Sequence, residues 1–217
     1  MLTKVCGLTD IKETKYLKDN NVDFAGMVLF YEKSKRNISV EKAKEIIAAL
    51  HECDYTDESE EDCEEVYINA VAVVVSPTVE QAKEIEAAGF DYIQIHGTAD
   101  EEIYKNLSIP VLKAFNVSDL ENYEYYLSFP NIKGFVFDAG QPGSGKTFDW
   151  EMLKQLERKA DKLYILAGGL NASNVSDAIK EVNPDGVDVS SGVEFTDKLG
   201  KNPEKISEFI SLAKSVQ

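Results

Sequence analysis

The sequence predicts an α/β protein with a single domain, a (β/α)8 TIM barrel. Short β-branched segments alternate with amphipathic segments eight times along 217 residues, a spacing of about 27 residues that suits one strand, one helix and their turns. Positions 67–75 form an uninterrupted apolar run, as strands of a parallel sheet do when both faces are covered. An open doubly wound sheet has the same alternation and is the second architecture that the pattern allows.

The individual elements follow from hydrophobic period and from turn residues. The predicted strands cover residues 3–6, 24–29, 67–75, 91–95, 110–114, 132–137, 163–166 and 187–189. The predicted helices cover residues 9–20, 39–50, 78–89, 100–107, 118–127, 149–160, 171–182 and 203–216. Ser39 and Thr78 precede their helices, where a hydroxyl can cap the first turn. Gly89 is a typical residue for a helix end.

The net charge of the chain is strongly negative, and much of it comes from one short segment. A net charge of −16 predicts no nucleic-acid partner, because phosphate backbones require a basic surface. Residues 52–65 hold nine acidic residues and no lysine or arginine. Such a block is typical of a solvated loop. We therefore expect one domain over residues 1–217, with an acidic loop insertion at about 52–65.

The sequence indicates a cytoplasmic protein without a membrane partner. No apolar run approaches the ~18 residues of a membrane-spanning helix, and the first residues lack the layout of a signal peptide. Cys6, Cys53 and Cys63 show no C-x-x-C spacing, so neither a metal site nor a redox pair is predicted.

Polar residues lie at the carboxyl ends of several predicted strands, where barrel enzymes carry their active sites. Cys6, His96 and Asp138 are such residues, and Arg36 lies in the loop after the second strand. A partly buried carboxyl can act as an acid, a thiolate as a base, and a guanidinium can bind a carboxylate. A histidine can orient a substrate. Each has a structural alternative as well: an inert buried thiol, a solvated arginine, or a histidine hydrogen-bonded within the protein.

Two turns rich in glycine and serine follow the seventh and eighth predicted strands. One contains Gly169, and the other contains Ser190, Ser191 and Gly192, just after Asp188 in the eighth strand. Many barrels bind phosphate here, because backbone amides and a short helix N-terminus meet the anion. A phosphate site is therefore predicted; the alternative is that the glycines only end the strands.

Residues 140–147, GQPGSGKT, match the phosphate-loop pattern G-x-x-x-x-G-K-[ST] of nucleotide-binding proteins. Two observations weigh against a nucleotide site. The predicted helix begins only at Asp149, whereas a phosphate loop opens directly into a helix. A magnesium-binding aspartate is also expected at the end of a second strand, and Asp188 lies within its strand.

Several blocks, in order along the whole chain, resemble the phosphoribosylanthranilate isomerases of tryptophan biosynthesis. They include KVCGLT, AGMVLFYEKSKRNIS, DYIQIHG, GKTFDW, ILAGGLNASNV and GVDVSSGVE. The resemblance implies an Amadori rearrangement of N-(5-phosphoribosyl)anthranilate without cofactor or metal. Asp138 would be the general acid, Cys6 the general base, and Arg36 the group that holds the anthranilate carboxylate.

The resemblance also assigns the remaining site residues. The Gly169 turn, Ser191 and Gly192 would bind the phosphate, and Asp188 would lie near the ribose hydroxyls. The segment after the sixth strand would be a lid, with Gly143, Gly145 and Lys146. A phosphorylated small molecule would be the substrate, and the protein would be a monomer or a homodimer.

Two departures from the family pattern leave alternatives open. Glu32 and Lys35 stand where the family usually has prolines, so the loop that carries Arg36 would be less rigid. The acidic insertion is not part of the family core, and we expect it at the barrel face opposite the site. A nucleotide-binding protein that uses residues 140–147 is one alternative function. A catalytically silent phosphate-binding barrel, with Arg36 displaced, is the other.

Overall fold

The chain folds into a closed barrel of eight parallel strands. The structure, a computed structural model, describes residues 1–52, 67–138 and 151–216. Strands β1 to β8 are Leu2–Cys6, Phe24–Val28, Asn69–Val75, Tyr92–His96, Val111–Asn116, Ile132–Asp138, Leu163–Ala167 and Gly186–Val189. Each strand pairs with the next, and β8 pairs with β1. The predicted barrel is confirmed, and the open sheet is wrong, because an open sheet would leave its end strands as edges.

Helices connect successive strands. Helices α1 to α8 are Lys12–Lys18, Val40–His51, Val79–Ala87, Glu101–Asn106, Tyr123–Leu127, Glu151–Lys154, Val175–Val182 and Pro203–Ser215. Two 3₁₀ helices span Val117–Asn122 and Ser191–Val193. The predicted strands agree with the observed bounds to within two residues at each end. The helices differ more, and each difference has a local cause.

Two apolar layers hold the barrel together. The inner layer, inside the strands, consists of Cys6, Phe24, Val71, Val73, Leu112, Ala114, Val136, Ile165 and Ala167. The larger layer packs the outward strand faces against the helices, as Val5 and Phe135 do. Successive side chains of a strand point to opposite faces. Polar residues on the inner face near the strand ends therefore point into the mouth of the barrel.

Both predicted N-caps are confirmed. The Ser39 hydroxyl accepts a hydrogen bond from the Lys42 N–H at 3.2 Å. Thr78 and Gln81 form a reciprocal capping box, in which each side chain accepts from the backbone N–H of the other residue.

The prediction that the sixth helix continues to residue 160 is wrong, because α6 ends at Lys154. Tyrosine hydroxyls replace the helical hydrogen bonds beyond it. The Glu157 carbonyl accepts from the hydroxyls of Tyr123 and Tyr164, at 2.6 and 3.0 Å, and the Lys159 N–H donates to Tyr164 Oη at 3.0 Å. These long-range contacts hold the segment in a non-helical path.

Three other helices are shorter than predicted. Helix α1 begins only at Lys12, because the Glu13 carboxylate binds the N–H groups of Thr9 and Asp10 in a preceding turn. Helix α7 begins only at Val175, after a turn that contains asparagine side-chain hydrogen bonds. The first half of the predicted fifth helix is 3₁₀, and Asn122 leaves the helical region before α5 begins.

No helix in the three described ranges is long and apolar enough to cross a membrane. The acidic insertion predicted at about 52–65 lies outside the described residues, apart from Glu52.

The capping box predicts a measurable loss of stability on substitution. Thr78→Ala should lower the free energy of unfolding by about 1 kcal/mol, because the N-terminal N–H groups of α3 lose their acceptor. Urea-induced unfolding, followed by far-ultraviolet circular dichroism, measures the change. Thr98→Ala is the control, since Thr98 is also exposed and caps no helix. Equal stabilities of the two variants would contradict the assignment.

Candidate active site

A cavity of about 530 Å³ opens at the carboxyl ends of the strands. Cys6, Arg36, His96 and Asp138, the four polar residues predicted from the strand ends and the second loop, all line it. Cys6 ends β1 and Asp138 ends β6, with β7 and β8 between them. A molecule in the cavity would therefore contact the thiol and the carboxyl from different sides.

The two glycine- and serine-rich turns meet the same cavity. Gly169, Asp188, Ser190 and Ser191 line it as well. Gly192 follows directly, within the 3₁₀ helix after β8. The predicted lid residues Gly143, Gly145 and Lys146 lie outside the described residues, as does the phosphate-loop pattern at 140–147.

Gly192 allows the two turns to pack closely. A Cβ atom at this position would lie 2.1 Å from the Leu170 carbonyl oxygen, so any larger residue would push the turns apart. The Gly169 carbonyl accepts hydrogen bonds from the side-chain amides of Asn171 and Asn174, at 3.2 and 3.1 Å. These contacts fix the orientation of the peptide at Gly169. The first N–H groups of the 3₁₀ helix have no partner within that helix and suit an anion.

Sequence reasoning missed Lys4, which is buried inside the barrel beside the site. Its side chain is 1% exposed, and its Nζ atom lies 2.9 Å from Asp188 Oδ2. Burial opposes the charged form of Lys4, but Asp188 and Cys6 outweigh it and raise the pKa of the ammonium. The sequence contained an indication of this position, because Lys4 and Cys6 are two residues apart on one strand and therefore share a face.

The thiol of Cys6 is buried, with 9% of the residue exposed. Burial raises the pKa of Cys6, because the thiolate loses its hydration, and the charge of Lys4 acts in the opposite direction. Ser190 fixes the backbone beside the thiol, since its hydroxyl donates to the Cys6 carbonyl at 2.9 Å.

His96 is held within the protein and also lines the cavity. Its Nε2 atom lies 2.9 Å from Gln94 Nε2. Burial, together with the charges of Lys4 and Lys113, lowers the pKa of His96 to about 4. The imidazole is therefore uncharged at neutral pH and can orient a ligand through hydrogen bonds.

Two buried acceptors of the cavity have no hydrogen-bond partner within the described ranges. They are Asp188 Oδ1 and Gln94 Oε1. A buried acceptor without a partner is costly, so a ligand that brings hydroxyl donors would complete both. Gln94 was not predicted; its position two residues before His96 on β4 was the signal.

Arg36 is held at the edge of the cavity by Glu194, which sequence reasoning also missed. The Glu194 carboxylate forms ion pairs with three cations. It binds the Nε atom of Arg36, it lies 2.9 Å from Lys35 Nζ, and it lies 3.3 Å from Lys201 Nζ. Burial alone would raise the pKa of Glu194, but the hydrogen bonds from Arg36 and Lys35 lower it to about 2. The pair with Arg36 does not use the two terminal nitrogens of the guanidinium.

The loop that carries Arg36 is held by hydrogen bonds, although Glu32 and Lys35 stand where the resembled family usually has prolines. The Tyr31 N–H donates to Asn37 Oδ1 at 2.8 Å, and the Ile38 N–H to the Val28 carbonyl at 3.0 Å. Lys35, one of the two departures, itself binds Glu194. Arg36 is therefore not displaced from the cavity, which removes the premise of the silent-barrel alternative.

Within the part of the chain that the structure describes, no group of three or more histidine, cysteine, aspartate or glutamate residues is arranged to hold a metal ion.

Comparisons with known proteins agree on one family. Residues 3–212 match the family model described as N-(5′-phosphoribosyl)anthranilate (PRA) isomerase. The N-(5′-phosphoribosyl)anthranilate isomerase of Aquifex aeolicus is 37% identical over 215 residues, which cover 98% of each chain.

Solved structures give the same result. Phosphoribosyl anthranilate isomerase from Thermotoga maritima superposes with a TM-score of 0.78 at 32% identity, over 99% of this chain and 98% of that one. A phosphoribosyl anthranilate isomerase in complex with reduced 1-(o-carboxyphenylamino)-1-deoxyribulose 5-phosphate has a TM-score of 0.73 at 29% identity, over the same shares of the two chains.

The low pKa of Glu194 predicts a specific pH dependence of stability. Its pKa in the folded chain lies below the ordinary 4.5, so the ionised carboxylate stabilises the fold above pH 4.5. That contribution is lost as the pH falls from 4.5 towards 2. Glu194→Gln should therefore lower the free energy of unfolding by about 3 kcal/mol at pH 6, since it removes the carboxylate that pairs with the buried Lys201 and the partly buried Arg36.

Urea-induced unfolding at pH 6 and pH 3 measures both chains. The difference between wild type and Glu194→Gln should be smaller at pH 3. Glu84→Gln, on the exposed face of α3, is the control for the loss of a carboxylate. A Glu194→Gln deficit that is the same at both pH values would contradict the assigned ion pairs.

Proposed function

This chain belongs to the N-(5′-phosphoribosyl)anthranilate isomerase family, and from that membership we propose that it converts N-(5-phosphoribosyl)anthranilate into 1-(2-carboxyphenylamino)-1-deoxyribulose 5-phosphate. The observation that carries the proposal is the single cavity in which Cys6, Asp138, Arg36 and the two glycine- and serine-rich turns meet. These groups match the parts of the substrate: a sugar ring to be opened, a carboxylate and a phosphate.

The proposed reaction consists of proton transfers. The carboxyl of Asp138 gives its proton to the ring oxygen, the C1′–O bond breaks, and a Schiff base forms. The thiolate of Cys6 then takes the proton from C2′, which gives an enolamine, and the enolamine tautomerises to the ketone. The chemistry requires no cofactor or metal.

The proton balance adds a requirement for turnover. Asp138 ends the reaction ionised and Cys6 ends it protonated, whereas the next cycle needs the reverse. One proton must therefore pass from the thiol to the carboxyl, through solvent or through the product. Both residues line one cavity, so a bound product or solvent within it can connect them.

The substrate is recognised at its two anionic ends. Arg36 binds the anthranilate carboxylate through the nitrogens that Glu194 does not use, because a guanidinium offers several donors in one plane. The turns at Gly169 and at residues 190–192 bind the phosphate through N–H groups and serine hydroxyls.

The ribose hydroxyls lie between the two ends. We assign them to Asp188 Oδ1 and Gln94 Oε1, the two buried acceptors of cavity-lining residues that have no partner in the described ranges. The uncharged imidazole of His96 orients the sugar from β4. Gly143, Gly145 and Lys146 are proposed as part of a lid.

Nucleotide binding at residues 140–147 is the rival function. It predicts magnesium-dependent binding of ATP or GTP, whereas the isomerase requires neither. An assay with freshly generated N-(5-phosphoribosyl)anthranilate, with EDTA and without nucleotide, separates the two. Decay of substrate fluorescence above the uncatalysed rate supports the isomerase, and a folded sample that leaves that rate unchanged overturns it.

The acid and base roles predict large losses of turnover. Cys6→Ala and Asp138→Asn should each lower kcat by about 10²- to 10⁴-fold with small changes in KM, because each removes a proton transfer and leaves the binding groups in place. Cys63→Ser is the control for loss of a thiol. Turnover close to that of the wild type in either variant would refute that residue's assignment.

A further inference from the structure

A buried lysine ammonium lies beside the thiol of Cys6. Lys4 and Cys6 point to the same face of β1, and the two residues are 1% and 9% exposed. The family assignment gives a role to Cys6 and none to Lys4. A lysine buried this deeply is rare unless it is paired, and here the partner is Asp188 on the neighbouring strand β8.

Gly26 on β2 makes the contact between the two side chains possible. It pairs with Cys6 in the sheet. A Cβ atom on Gly26 would lie 2.9 Å from the Cys6 sulfur and 3.1 Å from Lys4 Nζ. The Cys6 sulfur and Lys4 Nζ therefore both pack against the side of Gly26 that carries only a hydrogen. Any side chain at position 26 would displace one of them.

The charges around the sulfur act in opposite directions. Burial raises the pKa of Cys6, Lys4 lowers it through its charge and a hydrogen bond, Asp188 raises it, and Lys201 lowers it. Lys4 therefore counteracts the effect of burial on the pKa of Cys6. Asp188 weakens this action of Lys4 on the thiol, but it also keeps the Lys4 ammonium charged. The other titratable or charged side chains that line the cavity are Arg36, His96 and Asp138.

We propose that Lys4 supplies the positive charge that stabilises the thiolate of Cys6 during proton abstraction, and that Asp188 and Gly26 hold this charge beside the sulfur. The inference rests on the proposed function, in which Cys6 takes the C2′ proton. In that step the thiolate becomes a thiol, the C2′–H bond breaks, and its electron pair stays on the substrate. Lys4 remains an ammonium throughout, so it is a positioning residue that acts through Cys6.

The first test measures the thiol without any substrate. In a chain with Cys53→Ser and Cys63→Ser, Cys6 is the remaining cysteine, and thiolate absorbance near 240 nm is recorded against pH. Lys4→Met should move the titration to higher pH, so that the thiolate fraction at a fixed pH below the midpoint falls at least about tenfold. Lys162→Met is the control, since Lys162 is also buried but its ammonium binds the Phe129 and Ile132 carbonyls.

A second variant separates this role from a defect in folding. Lys4→Met leaves Asp188 buried and unpaired, which can prevent folding. The double variant Lys4→Met/Asp188→Asn removes both charges, and its Cys6 titration should still lie above that of the wild type. A folded double variant that titrates like the wild type would overturn the proposal.

Turnover distinguishes a failure of this inference from a failure of the proposed function. With N-(5-phosphoribosyl)anthranilate, Lys4→Met or its double variant should lower kcat at least about tenfold at neutral pH, and the rising limb of the pH profile should move to higher pH. A loss of kcat without any change in the Cys6 titration would refute the inference and leave the isomerase standing. A shifted titration in a protein whose wild type does not isomerise this substrate would refute the proposed function instead.

Discussion

The ion pair between Lys4 and Asp188 is the interaction on which the site depends. The two residues are register partners in the seam where β1 and β8 close the barrel. Both are largely buried inside it, so loss of one partner alone would cost about 3–5 kcal/mol. The seam therefore has to form with both residues in place. Cys6 lies two residues beyond Lys4 on β1, Ser190 directly follows β8, and the Ser190 hydroxyl donates to the Cys6 carbonyl near the mouth.

A second set of charges fixes the loops above the seam. Glu194 joins the loop after β2, through Lys35 and Arg36, to the segment after β8, through Lys201. Glu13 extends the connection, because its carboxylate binds the N–H groups of Thr9 and Lys201. Three loops from neighbouring strands are thus tied together before any ligand binds. Such preorganisation lets a charged group act without reorientation during the reaction.

The sequence predicted what depends on local pattern. Period and turn residues located all eight strands, and their order placed Cys6, Asp138 and the glycine-rich turns at one end of the barrel. It could not show which distant residues become neighbours. Lysine is usually a surface residue, and only the closure of β8 on β1 brings Lys4 beside Asp188. The predicted end of helix α6 was wrong for the same reason, because tyrosines from two other elements determine where the helix ends.

The seam also explains why a thiol suits the role of base that we propose for position 6. A carboxylate at position 6 would lie close to Asp188, and two buried carboxylates at short range share one proton, so that neither is a dependable base. A thiol can remain neutral while buried at little cost and becomes negative only when a cation balances it. Its ordinary pKa of about 8.5 also lets it retain a proton taken from carbon until the enolamine has rearranged. Asp138, the proposed acid, lies across the cavity at the end of β6, which pairs with neither β1 nor β8. The barrel thus places the proposed acid and the proposed base on strands that do not pair.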